Sequence, residues 1–168
     1  LDLSGINFLD ALAKSKAAIS SGAIDGLVVV GGGPELPALQ ALATSLGVAA
    51  DVEFAGYLAD PISRLIELDL FALSSDTEQL PIAMLEAMAC GIPVVATRVG
   101  DVALIMPTVA QSAVAEPTDA AFTAALLAAI DQRSSWDEWV EAGKQTVAQH
   151  YALGHMQSQW QELFDGSV

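Results

Sequence analysis

Basic side chains are scarce in this sequence. Lys14, Lys16, Arg64, Arg98, Arg133 and Lys144 stand against 21 acidic residues, for a formal net charge of −15. Nucleic-acid binding depends on clustered Lys and Arg neutralising phosphates, so the shortage argues against it, and against anionic membrane surfaces for the same reason. Cysteine is nearly absent too. The sole thiol, Cys90, cannot form an internal disulfide, which fits a reducing compartment and a cytoplasmic setting. Within the apolar stretch Ala87–Met88–Ala89–Cys90–Gly91 it reads as a buried, inert thiol rather than a nucleophile. Long apolar runs are missing: those such as Leu27–Gly33 are strand-sized, and no transmembrane segment is expected. The opening LDLSGINFLDALAKS lacks the basic region and cleavage pattern of a signal peptide. There is no internal repeat, low-complexity tract or linker.

What remains is a globular composition. Of 168 residues, 53% are apolar and 16% charged, enough to bury a sizeable core in a single domain over residues 1–168. The chain starts with Leu rather than Met, so the expectation is a domain taken from something longer.

Apolar residues from Ile6 to Ile19 recur at helical spacing, with Leu9, Leu12 and Ala13 on one face. Leu27–Val30 is a β-branched run ending in Gly31–Gly32–Gly33, the pattern of a buried parallel strand feeding a tight loop. A helix is expected from Pro34, at the favoured first position, through Leu39 and Leu42 to Gly47. Strands are expected at Val52–Phe54, Leu70–Leu73, Pro93–Thr97 and Ala113–Ala115. Helices are expected at Pro61–Glu67, Pro81–Cys90, within Gly100–Met106, at Thr118–Ile130 with Thr118 as cap, at Trp136–His150 and at Gly154–Phe164. Strands alternating with helices predict an α/β fold, a parallel sheet with helices on both faces. Such sheets bind ligands at the carboxyl ends of their strands, here Gly31–Gly33, Ala55–Tyr57, Ser74–Leu80 and Arg98–Asp101.

The first candidate motif is Val30–Gly31–Gly32–Gly33–Pro34–Glu35. Glycines admit a close ligand, and the helix start beyond them offers free N–H groups and a partial positive charge for a phosphate or sugar hydroxyl. A plain strand–helix connection explains it equally well. A dinucleotide site matches poorly: Leu36 occupies the third glycine position, and Ala55 and Gly56 stand where a ribose-binding acid belongs.

The second is the block from Ser74 to Pro93. A polar, acidic loop runs straight into a helix with Pro81 at its start, where free N–H groups suit a diphosphate. Glu86 lies among Leu85, Ala87 and Met88, and burying an unpaired carboxylate costs several kcal/mol, so it needs a partner: vicinal ribose hydroxyls or a protein donor. Glu78 and Glu86 are eight apart, roughly 12 Å if the whole segment were helical. That exceeds the carboxylate separation of ordinary glycosidases. The pair reads as two contacts on an extended ligand, with structural salt bridges as the alternative.

Taken together, Gly31-x-Gly33-Pro34-Glu35 after a strand, then Phe54-x-Gly56, then Ser74-x-x-x-Glu78-x-x-Pro81-x-x-x-Leu85-Glu86-Ala87-Met88-Ala89-x-Gly91-x-Pro93-Val94-Val95-Ala96-Thr97 closely resemble the donor-binding lobe of retaining glycosyltransferases of family four (group one). Val114–Asp119 and the terminal helices are similar to that lobe's tail, so the likeness covers nearly the whole chain. The resemblance implies the C-terminal, Rossmann-like half of the two-lobed GT-B architecture, with the N-terminal acceptor-binding lobe and the first strand outside this chain. It implies a nucleotide-diphosphate sugar as donor substrate and no metal or cofactor. Glu86 would hold the ribose, and Glu78 would act at the donor sugar as the catalytic residue. The backbone around Gln79 and Leu80 would meet the diphosphate or sugar, Tyr57 would lie by the base, and Gly31 and Gly33 would line the donor site. Arg98 and Asp101 are weaker candidates, equally readable as solvated loop charges. His150 and His155 read as structural or exposed, without metal-ligand spacing.

Two positions depart from the family pattern. Gln79 stands where Gly is usual, and Ser4 falls at the expected lysine position of the family's Arg and Lys diphosphate clamp, so the expectation is a clamp either absent or cut away. The leading expectation is a sugar transferase acting with retention, inactive as this chain alone. The alternative is a non-catalytic nucleotide-sugar-binding or interaction module. An epimerase or phosphorylase of the same architecture is opposed by the Glu-x7-Glu block, and a phosphorylase also by the lack of lysine between Lys16 and Lys144.

Overall fold

The computed structural model describes residues 24–166. The expected helix over Ile6–Ile19, and the Ser4 position, lie outside the described residues.

Among the described residues five short strands pair in two parallel ladders. β1 (Leu27–Val30) pairs with β2 (Val52–Gly56), Leu27 opposite Val52, with a slip between Val29 and Val30 that sets Val30 opposite Gly56. β3 (Phe71–Leu73), β4 (Val94–Thr97) and β5 (Val114–Ala115) form the second ladder in that order. β4 is its middle strand and is buried at every position. That is why Val94–Val95–Ala96 shows no polar alternation: a parallel strand covered on both faces must be apolar on both.

Helices link the strands. α1 (Leu36–Leu46) joins β1 to β2, and Gly47 closes it in the left-handed conformation, φ 74°. Its start differs from the sequence expectation. Pro34 lies in a turn in which the Gly33 carbonyl accepts the Leu36 N–H at 3.2 Å, and Pro37 takes the first-turn place. Either proline satisfies the rule that the first turn needs no N–H; the turn decides between them. α2 (Ile62–Leu65) precedes β3, and its Arg64 ion-pairs with Glu53 of β2 and with Glu67. α3 (Ile82–Cys90) follows the Ser74–Leu80 loop and ends at left-handed Gly91. α4 (Val102–Ile105) and a 3-10 turn over Thr108–Ala113 lead into β5. Thr118 caps α5 (Asp119–Asp131), its Oγ1 accepting the Ala121 N–H at 3.3 Å. α6 (Trp136–Thr146) gives way to a π-helical turn, Val147–Tyr151, before α7 (Leu153–Phe164). The expected single helix Trp136–His150 therefore changes pitch after Thr146. Val147 and Tyr151 pack on the core there, and widening the turn lets both reach it.

The main core joins α3, α5 and α6 to the β3–β4–β5 ladder through Met84, Met88, Val95, Phe122, Leu126 and Trp139. Phe122 is fully buried, so truncation to Ala would cost about 3–5 kcal/mol. A smaller cluster of Val29, Ala43, Val48 and Val52 holds α1 against β1 and β2. Among the described residues no helix is long and apolar enough to cross a membrane.

Candidate functional site

Because all strand pairs are parallel, the loops that follow the strands of one ladder emerge at one end of it. At the first ladder, Gly31–Gly33 meets the turn after β2. Gly31 is buried with φ 127°, a conformation that L side chains rarely adopt. Its N–H donates to the Gly56 carbonyl at 2.8 Å. A Cβ on Gly32 would lie 3.9 Å from the Tyr57 nitrogen, so the two turns run side by side. Gly33 is exposed, and Tyr57 is 76% exposed.

At the second ladder the loop after β3 is tied to the end of β4. The Ser75 hydroxyl donates to Glu78 Oε1 at 2.7 Å, and Thr97 Oγ1 donates to the Ser75 carbonyl at 2.5 Å. The Asp101 N–H donates to the Gln79 carbonyl at 2.9 Å. Gly100, at φ 49°, presses so closely that a Cβ there would sit 2.3 Å from the Glu78 oxygen. Glu78 is half-buried, whereas Gln79 and Leu80 are exposed.

The loop delivers the chain to the start of α3. Pro81 has extended backbone, ψ 91°, and no side chain caps the helix. Among the described residues nothing accepts the N–H of Ile82 or Ala83, nor that of Gln79 or Leu80. An uncapped helix start with free N–H groups and no acid in its first turn is an anion-binding feature. Because helix begins only at Ile82, the sequence reckoning of an all-helical spacing between Glu78 and Glu86 does not apply: Glu78 belongs to the loop and Glu86 to the helix. Glu86 is half-buried between buried Leu85 and Ala87, and among the described residues no donor or cation pairs with it.

The remaining candidates separate from this group. Arg98 Nε pairs with Glu116 Oε1 at 3.0 Å, an exposed ion pair beside β5. Asp101 is exposed at the head of α4. His150 lies edge-on to Tyr151 and His155, with ring centroids 6.5 and 6.3 Å away, in the tail. Among the described residues no group of three His, Cys, Asp or Glu side chains is placed to hold a metal. Cys90, expected to be buried, is half-buried and free, because it falls on the last turn of α3.

Sequence reasoning assigned no role to Ser75, Thr97 or Gly100. Signals for the first two were present: Ser75-x-x-Glu78 sets a hydroxyl and a carboxylate three residues apart in a polar loop, and Thr97 closes an otherwise apolar strand.

Comparison with known proteins gives this arrangement its context. A family model described as glycosyl transferases group 1 matches residues 6–132. The lipopolysaccharide core biosynthesis glycosyltransferase LpsE of Rhizobium meliloti is 44% identical over 72 residues, which make up 43% of this chain and 21% of that protein. A GDP-mannose-dependent alpha-(1-6)-phosphatidylinositol monomannoside mannosyltransferase of Mycolicibacterium smegmatis is 45% identical over 83 residues, 44% of this chain and 22% of that one. Among solved structures, Anabaena Alr3699/HepE in complex with UDP superposes with a TM-score of 0.79 at 21% identity, over 98% of this chain and 48% of that one. The chain thus spans about half of that structure, and its matches take up about a fifth of those two curated relatives. The fold is the α/β, Rossmann-like half of a GT-B glycosyltransferase. A family match over most of the length, with the acidic block and the loop geometry both in place, settles the assignment: the chain belongs to the group 1 glycosyl transferases.

Proposed function

We propose that this chain is the donor half of a retaining sugar transferase, binding a nucleotide-diphosphate sugar whose sugar passes to a hydroxyl acceptor held by an N-terminal lobe. The observation that carries the reading is Glu86: a half-buried carboxylate without a partner among the described residues, one turn into an uncapped helix. Vicinal ribose hydroxyls would supply its missing donors. The diphosphate would lie on the free N–H groups of Gln79, Leu80, Ile82 and Ala83, and the base by Tyr57, with Gly31 and Gly33 at the rim. Glu78 would sit by the sugar, where its charge favours a developing oxocarbenium ion more than the ground state; only that difference accelerates transfer. The proposal includes no metal or organic cofactor. A cytoplasmic setting fits the free Cys90 thiol. Support for the ligand class comes from the family itself and from relatives bound to UDP or dependent on GDP-mannose.

A second reading, a non-catalytic nucleotide-sugar-binding module, is favoured by one feature. Arg98, beside the second-ladder loops, is paired with Glu116, and to clamp a diphosphate it would have to leave that pair. Titration of UDP, GDP and ADP sugars, with transfer assayed in protein carrying both lobes, separates the two. Binding with transfer supports the enzyme, binding without transfer supports the module, and no binding contradicts both.

A further inference from the structure

Ser75 has no solvent exposure and Thr97 almost none, yet both carry hydroxyls. A buried hydroxyl is costly unless it is satisfied, and here the two are joined in series. Thr97, the last residue of β4, donates to the Ser75 carbonyl at 2.5 Å, with the Leu73 carbonyl at 3.5 Å. Ser75 in turn donates to Glu78 Oε1 at 2.7 Å. A serine hydroxyl has one proton to donate, and Ser75 commits it to the carboxylate. The other Glu78 oxygen has no partner among the described residues.

We infer that Ser75 is a positioning residue for Glu78, and that Thr97 anchors Ser75 to the rigid central strand, so that one carboxylate oxygen is held by the protein and the other is left for the sugar. The inference rests on the donor-site reading above. A free Glu side chain samples several rotamers, and holding it before the ligand arrives removes that ordering cost from sugar binding. The chain β4–Thr97–Ser75–Glu78 transmits the register of the core to a loop in which Asp76, Thr77, Gln79 and Leu80 are exposed.

The test is a double-mutant cycle read as the ratio of sugar-nucleotide to nucleotide affinity, using whichever pair the wild type binds, UDP-glucose with UDP or GDP-mannose with GDP. Ser75→Ala should lower that ratio by about two- to tenfold, the effect of one hydrogen bond, while the affinity for nucleotide alone stays within about twofold. In a Glu78→Ala background Ser75→Ala should change the ratio no further, because the two act as one unit. Thr97→Val should lower the ratio and Thr97→Ser should restore it; this pair carries the test if Ser75→Ala does not fold. An unchanged ratio, an equal loss for both ligands, or additive losses in the double mutant would each overturn the role of Ser75. Failure of the wild type to bind either pair would instead overturn the donor-site reading beneath it.

Discussion

Gly100 lies directly against the backbone carbonyl of Glu78: a side chain at position 100 would begin 2.3 Å from that oxygen and 2.5 Å from the Gln79 oxygen. The turn after β4 therefore sets how far the acidic loop can lean, and only the residue without a Cβ permits the approach. Gly100→Ala should destabilise the fold by roughly 1–3 kcal/mol from overpacking, added to the penalty of φ 49°. Gly47→Ala is the control. Gly47 has a similar backbone, φ 74°, but open space around it, so it should lose only the left-handed penalty of about 1–2 kcal/mol. Melting curves of the two variants should differ, with Gly100→Ala the lower; equal shifts would mean that the loop yields freely.

That contact also marks how far the sequence could be read. Local patterns placed the strands and most helix ends, because Gly47 and Gly91 follow apolar helical runs and close them in the left-handed conformation, and β-branched runs such as Leu27–Val30 favour strand. The Thr118 cap was legible for the same local reason. Contacts across the chain were not. The donation from Thr97 to the Ser75 carbonyl, the packing of Gly100 on Glu78 and the pairing of Arg98 with Glu116 depend on which strand lies next to which. The π turn at Val147–Tyr151 has no glycine or proline to announce it; it follows from core packing. The missing partner of Glu86 was posed by the sequence as a choice between a protein donor and a ligand, and the described residues provide no protein donor.

Thr118→Ala should cost about 1 kcal/mol, the usual worth of a helix N-cap, because Thr118 Oγ1 satisfies the Ala121 N–H at the start of α5. Thr118→Ser should keep most of it. Chemical denaturation of both variants checks this, and a loss in Thr118→Ser equal to that in Thr118→Ala would show that the methyl, not the hydroxyl, matters.

Binding of nucleotide to this 168-residue chain should be weak, without sugar transfer, and should improve slightly as salt rises. Its charge of −15 opposes an incoming diphosphate at long range, and at about 0.1 M ionic strength charges beyond about 10 Å are screened. The attraction at the start of α3 is short-ranged and about 0.3–1 kcal/mol in size, too small to reverse that sign. Titrations across ionic strength check the trend; affinity falling steadily with salt would reveal a basic site that this account lacks.

Glu86 has no protein partner among the described residues, and the proposed donor site gives that place to the ligand. Calorimetric titration of nucleotide into the wild type and Glu86→Gln tests it most directly, with melting temperature measured on the same samples. Loss of charge-assisted hydrogen bonds worth about 1.5–3 kcal/mol should weaken binding by about ten- to a hundredfold, with melting unchanged in the absence of ligand. Unchanged affinity together with a shifted melting temperature would contradict the account and assign Glu86 to the structure of α3.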